Sequence, residues 1–475
     1  MRFRRTSGGR RELSWLALAL LPLVPVAAMA ESTFASDFVR VLTFQDYNTR
    51  VVVIGTMLLG LASGLVGTFL LLRKRALLSD AISHAMLPGI CAAFVVMALA
   101  GGSGKHLGGL LLGAAISGIL GTAAVTLIRK TARLKEDVAL AIVLSTFFGF
   151  GIVLLGVAQR LGAGEAAGLK SFIYGKTASM LLSDALLIAI FAAVAAAICA
   201  ALFKEFGLLC FDAEFGRTQG WPTGLLDATL MALVVLVTVI GLQAVGLIMM
   251  VALLVIPPSA ARFWTDDLRW MAAISSTIGA LSGLFGSAAS ALMGAFPAGA
   301  IIVLVATLLF VLSLLLGTRR GVVHRSRAGL MLRRKVTSQH LLRGLYELAE
   351  REHHDPKETA ASFEDLLAER SWTRAELQRA LARHIRQGLI RHKGGGYALT
   401  RLGYYTAVHA VRTHRLWEMY LIAHADVAPS HVDTGADTIE HVLEPDLIAR
   451  LETMLADRGS VVPPSPHPLK GMVQT

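Results

Sequence analysis

Charged residues are scarce in this sequence: they make up 16% of its 475 residues, whereas apolar residues make up 55%. A soluble globular domain has roughly 25% charged residues, so this chain has too little polar surface to cover its apolar content in water. Cysteine is scarce as well, with three residues in the chain. The number and spacing of Cys91, Cys199 and Cys210 match neither a disulfide framework nor a zinc knuckle. The composition therefore predicts an integral membrane protein.

A phosphate-binding loop is also missing, because the pattern G-x-x-x-x-G-K-[ST] does not occur anywhere in the chain. The chain therefore cannot bind ATP in that way. We expect no enzymatic activity of its own, and any ATP hydrolysis on which it depends belongs to a separate subunit.

The first thirty residues have the arrangement of a secretory signal peptide. A basic run precedes an apolar stretch from Leu13 to Ala28, and Ala28-Met29-Ala30 forms a small-residue cleavage pattern. We expect residues 1–30 to be cleaved; an uncleaved first membrane helix is the alternative.

Apolar segments long enough to cross a bilayer, which takes about 20 residues, then follow one another. They predict about nine spanning helices, near residues 50–72, 84–100, 107–127, 138–158, 181–203, 226–243, 244–264, 269–291 and 297–317. The loops on one side are rich in lysine and arginine, whereas the other side has only Lys105, Arg160, Lys170 and Lys176. Cytoplasmic loops are the basic ones, so the region after residue 318 is expected in the cytosol.

After residue 318 the spanning runs end and amphipathic periodicity takes over. Helices at 336–352, 362–370 and 373–387, followed by a hairpin tip at Gly394-Gly395-Gly396, predict a winged helix-turn-helix over residues 330–400. A helical region at 401–456, with helices at 401–424 and 434–456, and a disordered tail at 457–475 complete the chain. The third helix could lie in a DNA major groove. Alternatively it presents a solvated face, because Glu376 lies among its basic residues. These basic residues are Arg374, Arg379, Arg383, His384 and Arg386.

Asp80 and His84 form the first chemically informative pair. They are four residues apart at the start of the second spanning segment, so they share one face of a helix. Ionisable residues at membrane depth are costly and by default belong to a transport pathway, and a carboxylate with an imidazole suits a first-row divalent cation. The alternative is that Asp80 caps the helix at the cytosolic interface.

Two further segments stand out. Residues 210–220 form a mixed-charge cytoplasmic stretch that ends at Gly220, and they are either a short helix that docks on a partner or a plain connecting loop. Pro257 and Pro258 interrupt the hydrogen-bond ladder of a spanning segment, and the pair of segments around Gly246 is expected to be broken or re-entrant.

Over roughly residues 45–318 the chain resembles the permeases of manganese, zinc and iron ABC importers. The resemblance rests on the order and spacing of three motifs: Ser79-Asp80-x-x-Ser83-His84-Ala85-x-x-Pro88-Gly89, Phe211-Asp212-x-Glu214 and Leu254-x-Ile256-Pro257-x-x-Ala260-x-Arg262. The resemblance implies that Asp80 and His84 contribute to the metal passage or its outer gate. It also implies that Phe211, Asp212, Glu214 and Gly220 belong to the element that couples to the ATPase.

The same resemblance implies a bacterial inner-membrane location and a set of partners. These are an ABC ATPase subunit, an extracytoplasmic metal-binding protein, membrane lipid and a second permease subunit, which is a second copy or a paralogue. No permanently bound cofactor is expected; the divalent metal (Mn, Fe or Zn) is the cargo and a candidate regulator.

The cytosolic part contains two carboxylate–imidazole pairs at helical spacing, His414 with Glu418 and Asp437 with His441, and Glu440 lies close to the second pair. Such pairs suit manganese or iron, although i,i+4 pairs are also common on soluble helices. From about 336 to 456 this part resembles the diphtheria-toxin-repressor-like metal-responsive regulators. That resemblance implies that all five side chains lie in or beside metal sites.

Two departures weaken this implied site. At the helix start where those regulators supply ligands, this chain has His340 and, where a further ligand would help, Arg343. A family histidine position falls on Asp433, two residues after His431. An incomplete, weak or altered metal site is therefore expected.

Together the motifs predict a polytopic all-α permease of a metal ABC importer, fused to a cytosolic winged-helix and helical dimerisation domain that senses the metal. DNA is not expected as a partner. A membrane-tethered metal-responsive DNA-binding regulator and an ion-gradient-driven secondary transporter, in which Asp80 and His84 relay protons, are the alternatives.

Overall fold

The computed structural model describes residues 46–100, 106–161, 175, 177–293, 296–352, 354–369 and 372–424. The predicted signal peptide (1–30), the predicted helix at 434–456 and the predicted disordered tail (457–475) lie outside these residues. The chain divides into two compact units, Met1–His324 and Arg325–Thr475.

The described part of the first unit is helical. Eight of its helices are long and apolar enough to cross a membrane, which agrees with the predicted polytopic fold. The helices are α1 (Tyr47–Leu72), α2 (Leu78–Leu99), α3 (Leu107–Ala132), α4 (Glu136–Leu161), α5 (Leu182–Ala201), α6 (Phe203–Phe211), α7 (Ala213–Thr218), α8 (Thr223–Val245), α9 (Leu247–Ala261), α10 (Leu268–Met293) and α11 (Ala298–Leu316).

Helix α9 is the predicted seventh span, and it is shorter than expected. Gly246 has φ 85° and ψ 170°, which ends α8 and begins α9; such a conformation favours glycine. The 15 residues of α9 extend about 22 Å at 1.5 Å per residue. The expectation of a broken pair is therefore confirmed at Gly246.

The prolines do not end α9, although they interrupt its hydrogen-bond ladder as expected. Pro257 and Pro258 both lie inside the helix. Pro258 has no N–H to offer the carbonyl oxygen of Leu254, and α1 packs directly on that oxygen: a Cβ atom at Gly67 would lie 2.2 Å from it. The interrupted backbone is thus packed within the protein, as irregular backbone in a membrane must be.

Small residues bring α1 and α10 into backbone contact. A Cβ atom at Gly279 would lie 2.1 Å from the carbonyl oxygen of Gly60, and the reverse distance is also 2.1 Å. One turn further along, Ser275 donates to the carbonyl oxygen of Gly64 at 2.7 Å. Association of membrane helices depends on such close packing, because lipid provides no hydrophobic driving force.

Helix α2 begins at Leu78, six residues before the predicted start of the second span. The turn that precedes it contains Arg73 and Arg75, both of which are fixed by ion pairs. The earlier start places Asp80 in the first turn of α2 and therefore at the membrane face where the basic loops lie.

The second unit has the predicted winged-helix arrangement. Its elements are α12 (Val322–Arg351, of which residues 325–351 belong to this unit), α13 (Phe363–Glu369), α14 (Arg374–Arg386), β1 (Ile390–Lys393), β2 (Gly396–Leu399) and α15 (Arg401–His424). Strands β1 and β2 pair antiparallel with Ile390 opposite Leu399. Gly394 and Gly395 both have positive φ, as the two-residue hairpin turn requires.

The core of this unit lies between α12, α14 and α15, and it contains Leu341, Leu345, Leu381 and Val411. Helix α12 begins fourteen residues before the predicted start at residue 336. His384 is 1% exposed and faces this core, which corrects its inclusion among the side chains that could reach DNA.

Candidate metal passage, coupling surface and regulator-like site

Asp80 and His84 lie on one face of α2 with Oδ1 and Nε2 3.4 Å apart. The side chains are 39% and 21% exposed, respectively, in the isolated chain. The ring of His84 meets Phe148 of α4 edge-on, with 4.9 Å between ring centroids. The predicted pairing of these two residues is therefore confirmed, and Phe148 fixes the position of the imidazole.

The Nδ1 atom of His84 is suited to bind a metal ion. This atom is buried and has no hydrogen-bond partner among the described residues. In a neutral ring whose Nε2–H faces Asp80, Nδ1 holds the lone pair that a metal needs. Pro88, four residues later, also lacks the N–H that would bond the carbonyl oxygen of His84.

A network of charged side chains, which the sequence analysis missed, joins the ends of the spanning helices at the face where the basic loops lie. Arg75 is 8% exposed; its Nη1 lies 2.8 Å from Asp227 on α8, and its Nε lies 2.8 Å from Glu136 on α4. Arg129 of α3 also pairs with Glu136 at 2.8 Å. Isolated arginines in basic loops give no sequence signal for such pairing, because the partners lie on distant helices.

The predicted coupling segment, residues 210–220, contains the end of α6 and the whole of α7. Phe211 ends α6, and Asp212, with φ −149° and ψ 80°, separates α6 from α7. Its Oδ1 accepts a hydrogen bond from the backbone N–H of Phe215 at 2.8 Å, so Asp212 caps α7. Glu214 is exposed in the first turn of α7, and Gly220 follows the end of that helix.

Large apolar side chains on this segment face outward. Phe211 is 68% exposed, Phe215 is 53% exposed and Trp221 is 45% exposed. We call these three residues the aromatic surface. Exposed apolar patches mark contacts with proteins or with a membrane, and Ala213–Thr218 is helical rather than a plain connecting loop. Docking on a partner stays a prediction.

In the second unit, His414 and Glu418 of α15 are fully buried, with Nε2 and Oε1 3.2 Å apart. Arg343 of α12 donates through Nη1 to Nδ1 of His414 at 2.5 Å, and its Nε lies 3.3 Å from Glu347. The structure thus brings together the first two predicted regulator residues with Arg343.

The other predicted ligands, Asp437, Glu440 and His441, and the departures at His431 and Asp433, lie outside the described residues. Within the residues that are described, no group of three or more His, Cys, Asp or Glu side chains is arranged to hold a metal. The five-residue regulator site therefore stays a prediction.

Comparisons with known proteins find matches to both the C-terminal part and the membrane part of the chain. The family model "Iron dependent repressor, metal binding and dimerisation domain" matches residues 400–460. Manganese transport system membrane protein MntC of Bacillus subtilis (strain 168) is 37% identical over 410 residues, which cover 86% of this chain and 91% of that protein.

Two further similarities concern the membrane part. Zinc transport system membrane protein TroC of Treponema pallidum (strain Nichols) is 42% identical over 62% of this chain and 96% of that protein. The solved structure of PsaBC from Streptococcus pneumoniae in complex with Fab matches with a TM-score of 0.53 and 28% identity, covering 60% of this chain and 97% of that one.

The ABC 3 transport family model matches residues 45–317, which include the predicted spans, Asp80 and His84, and the aromatic surface. The chain is therefore a multi-pass membrane permease that belongs to the ABC 3 transport family.

Proposed function

We propose that this chain is the permease subunit of an ABC importer for manganese, zinc or iron. The observation that supports this most directly is the Asp80–His84 pair, which lies within a spanning helix of a chain from the ABC 3 transport family. The relatives named above as manganese and zinc transport proteins support the choice of a divalent first-row metal.

The pair provides one carboxylate and one imidazole nitrogen, a donor set that holds such metals without excluding any of them. Asp80 lies in the first turn of α2 and His84 one turn deeper. That depth favours a role in the inner part of the passage over the outer gate that the sequence resemblance allowed. Two ligands alone bind weakly, which suits an ion that must leave again.

Transport on this proposal requires other subunits. An extracytoplasmic binding protein delivers the metal, and a second permease subunit, a copy or a paralogue, completes the passage against the partly exposed Asp80. A separate ATPase docks on the aromatic surface at Phe211 and Phe215. The chain itself lies in the bacterial inner membrane and hydrolyses no ATP.

The C-terminal domain, on this proposal, lies in the cytosol and senses imported metal. The basic loops, which lie on the same side as its N-terminal connection, support the location. The repressor-domain match over residues 400–460 supports the sensing role, for which His414, Glu418, Asp437, Glu440 and His441 are the predicted ligands. DNA stays an unexpected partner, because His384 faces the core and Arg374 pairs with Glu364.

Uptake of radioactive manganese and zinc into proteoliposomes tests the transport proposal. The vesicles contain the full chain, its cognate ATPase and its binding protein. We expect uptake that requires ATP and continues when proton and sodium gradients are collapsed. Uptake that continues without ATP but stops when the gradients collapse would instead establish a secondary transporter.

A further inference from the structure

In the described part of the second unit, a buried cluster of charged side chains joins α12 and α15 through one imidazole. Arg343 and Glu347 lie one turn apart on α12, and His414 and Glu418 lie one turn apart on α15. The side chains of all four are at most 8% exposed. The bond from Arg343 to His414 connects the two pairs.

The direction of this bond fixes the protonation of the ring. A guanidinium has five N–H donors and no acceptor, so Nδ1 of His414 must accept. A neutral imidazole that accepts at Nδ1 carries its proton at Nε2, and this atom lies 3.2 Å from Oε1 of Glu418. The lone pair of His414 is therefore used by Arg343, and the remaining ring nitrogen carries hydrogen.

A metal ion does not fit this arrangement. Binding to histidine requires an unprotonated ring nitrogen whose lone pair is available, and His414 has none in this conformation. The described residues also contain no three-ligand group of His, Cys, Asp or Glu. The implied regulator metal and the observed side chains thus disagree at His414 and Glu418.

The guanidinium nevertheless does what a metal would do for the packing. Glu347 and Glu418 are buried carboxylates, and a buried carboxylate is strongly destabilising without a nearby cation. Arg343 brings a permanent positive charge into this cluster, and it bonds α12 to the imidazole of α15. No exchangeable ion is needed for that contact.

We infer that Arg343 takes the place of a metal ion at the His414–Glu418 pair, so that α12 and α15 pack together without metal. This inference does not depend on the transport proposal. It changes the ligand set of the sensing proposal, because the Nδ1 lone pair of His414 accepts a hydrogen bond from Arg343 and is not available to a metal ion.

Hydrogen exchange of the full-length protein in detergent tests this inference, with peptides from α12 and α15 as the readout. All proteins carry Asp80→Ala and His84→Ala, which removes the proposed metal ligands of the passage. Each is measured after chelation, with added Mn(II) and with added Zn(II). We expect the same protection of α15 in all three conditions when Arg343 is present.

Arg343→Met should remove the guanidinium from the neighbourhood of the two buried carboxylates, Glu347 and Glu418. We expect α15 to exchange at least about ten-fold faster after chelation, and Mn(II) or Zn(II) to restore part of the protection. Adding His414→Ala should abolish that restoration. Arg334→Met, on the exposed part of the same helix, is the matched control and should change nothing.

Three results would overturn the inference. The first is α15 protection that depends on metal while Arg343 is intact, an observation that needs no variant at this site. The second is α15 protection in Arg343→Met after chelation that equals the protection with Arg343 present. The third is a loss of α15 protection in Arg343→Met that neither Mn(II) nor Zn(II) restores. If Arg343→Met does not fold, Arg343→Lys keeps the charge and must remain independent of metal.

Discussion

Arg73 and Asp227 form an ion pair, with Nη2 and Oδ1 2.9 Å apart, between the turn after α1 and the first turns of α8. The same guanidinium donates through Nη1 to the carbonyl oxygen of Leu209 on α6, also at 2.9 Å. Because α6 leads directly into the aromatic surface, these bonds connect the proposed ATPase contact to two spanning helices.

Asp227→Asn should weaken this connection. The substitution removes the charge that Arg73 and Arg75 share, and Arg75 is 8% exposed, so water can replace little of it. We expect the free energy of unfolding to fall by about 2 kcal/mol, and less metal to be imported per ATP hydrolysed. Thermal unfolding in detergent and coupled uptake assays measure the two effects.

Asp266→Asn is the matched control for this change. Asp266 pairs with Arg320 in the same unit, but the two side chains are 55% and 43% exposed. Exposed pairs contribute about 0–1 kcal/mol. Equal losses for Asp227→Asn and Asp266→Asn would contradict a structural role for the buried network.

Gly279→Val should disrupt the contact between α1 and α10. A Cβ atom there would lie 2.1 Å from the carbonyl oxygen of Gly60, so the helices must separate. We expect a loss of about 3 kcal/mol and a lower thermal midpoint in detergent. Gly149→Val on α4, where nothing lies within 4 Å of the added atom, should be tolerated. Similar midpoints for both variants would refute the close-packing explanation.

Phe211→Ala and Phe215→Ala should weaken ATPase binding, because aromatic side chains often dominate the binding energy of an interface. We expect the affinity for the cognate ATPase to fall at least about ten-fold for one of them, measured by titration in nanodiscs. Trp270→Ala is the control, since Trp270 is 66% exposed in the first turn of α10 and lies outside the aromatic surface. Unchanged affinity in both phenylalanine variants would show that the ATPase does not dock on the aromatic surface.

The winged-helix unit should lose stability in mild acid through His384. Ser338 donates to Nε2 of this ring at 2.6 Å, and Nδ1 donates to the carbonyl oxygen of Ala380 at 2.7 Å. Burial lowers the pKa of His384 below its ordinary value of 6.5. The unfolded chain therefore takes up the proton at a higher pH than the folded chain does, and stability falls as the pH drops below about 6.5.

Hydrogen exchange of α14 between about pH 7 and pH 5, corrected for intrinsic rates, measures this effect over the range where an ordinary histidine titrates. His384→Gln should flatten the pH dependence, because Gln does not titrate in this range. His392→Gln on β1, where the side chain is exposed, should leave it unchanged. A His384→Gln profile identical to the original would assign the dependence to other groups.

Several features of the fold could be predicted from the sequence because they follow from local chemistry. Long apolar runs and basic loops predicted the spans, and Gly246 marked the break between α8 and α9. The i,i+4 spacing of Asp80 and His84 predicted their contact. The Gly60-x-x-x-Gly64 and Gly279-x-x-x-Gly283 patterns could also have predicted the α1–α10 contact, since such spacing is typical of close helix pairs.

Other features depend on contacts between distant segments, which spacing does not encode. The sequence identified Arg343 as a departure from the regulator pattern, but only the packing of α12 against α15 places its guanidinium on His414. His384 looked like part of a basic helix face, and only the tertiary core buries it. Arg75 likewise pairs with two residues that are far away in sequence, Asp227 and Glu136.

On the proposed function, Asp80 and His84 bind the transported metal within the passage. The most direct test is ATP-driven manganese and zinc uptake into proteoliposomes by Asp80→Asn and His84→Ala, with Asp137→Asn, an exposed acid in the first turn of α4, as the matched control. We predict that both passage variants lose uptake at least about ten-fold while they still bind the ATPase, and that the control transports normally. Passage variants that import metal at the original rate would contradict metal binding by Asp80 and His84.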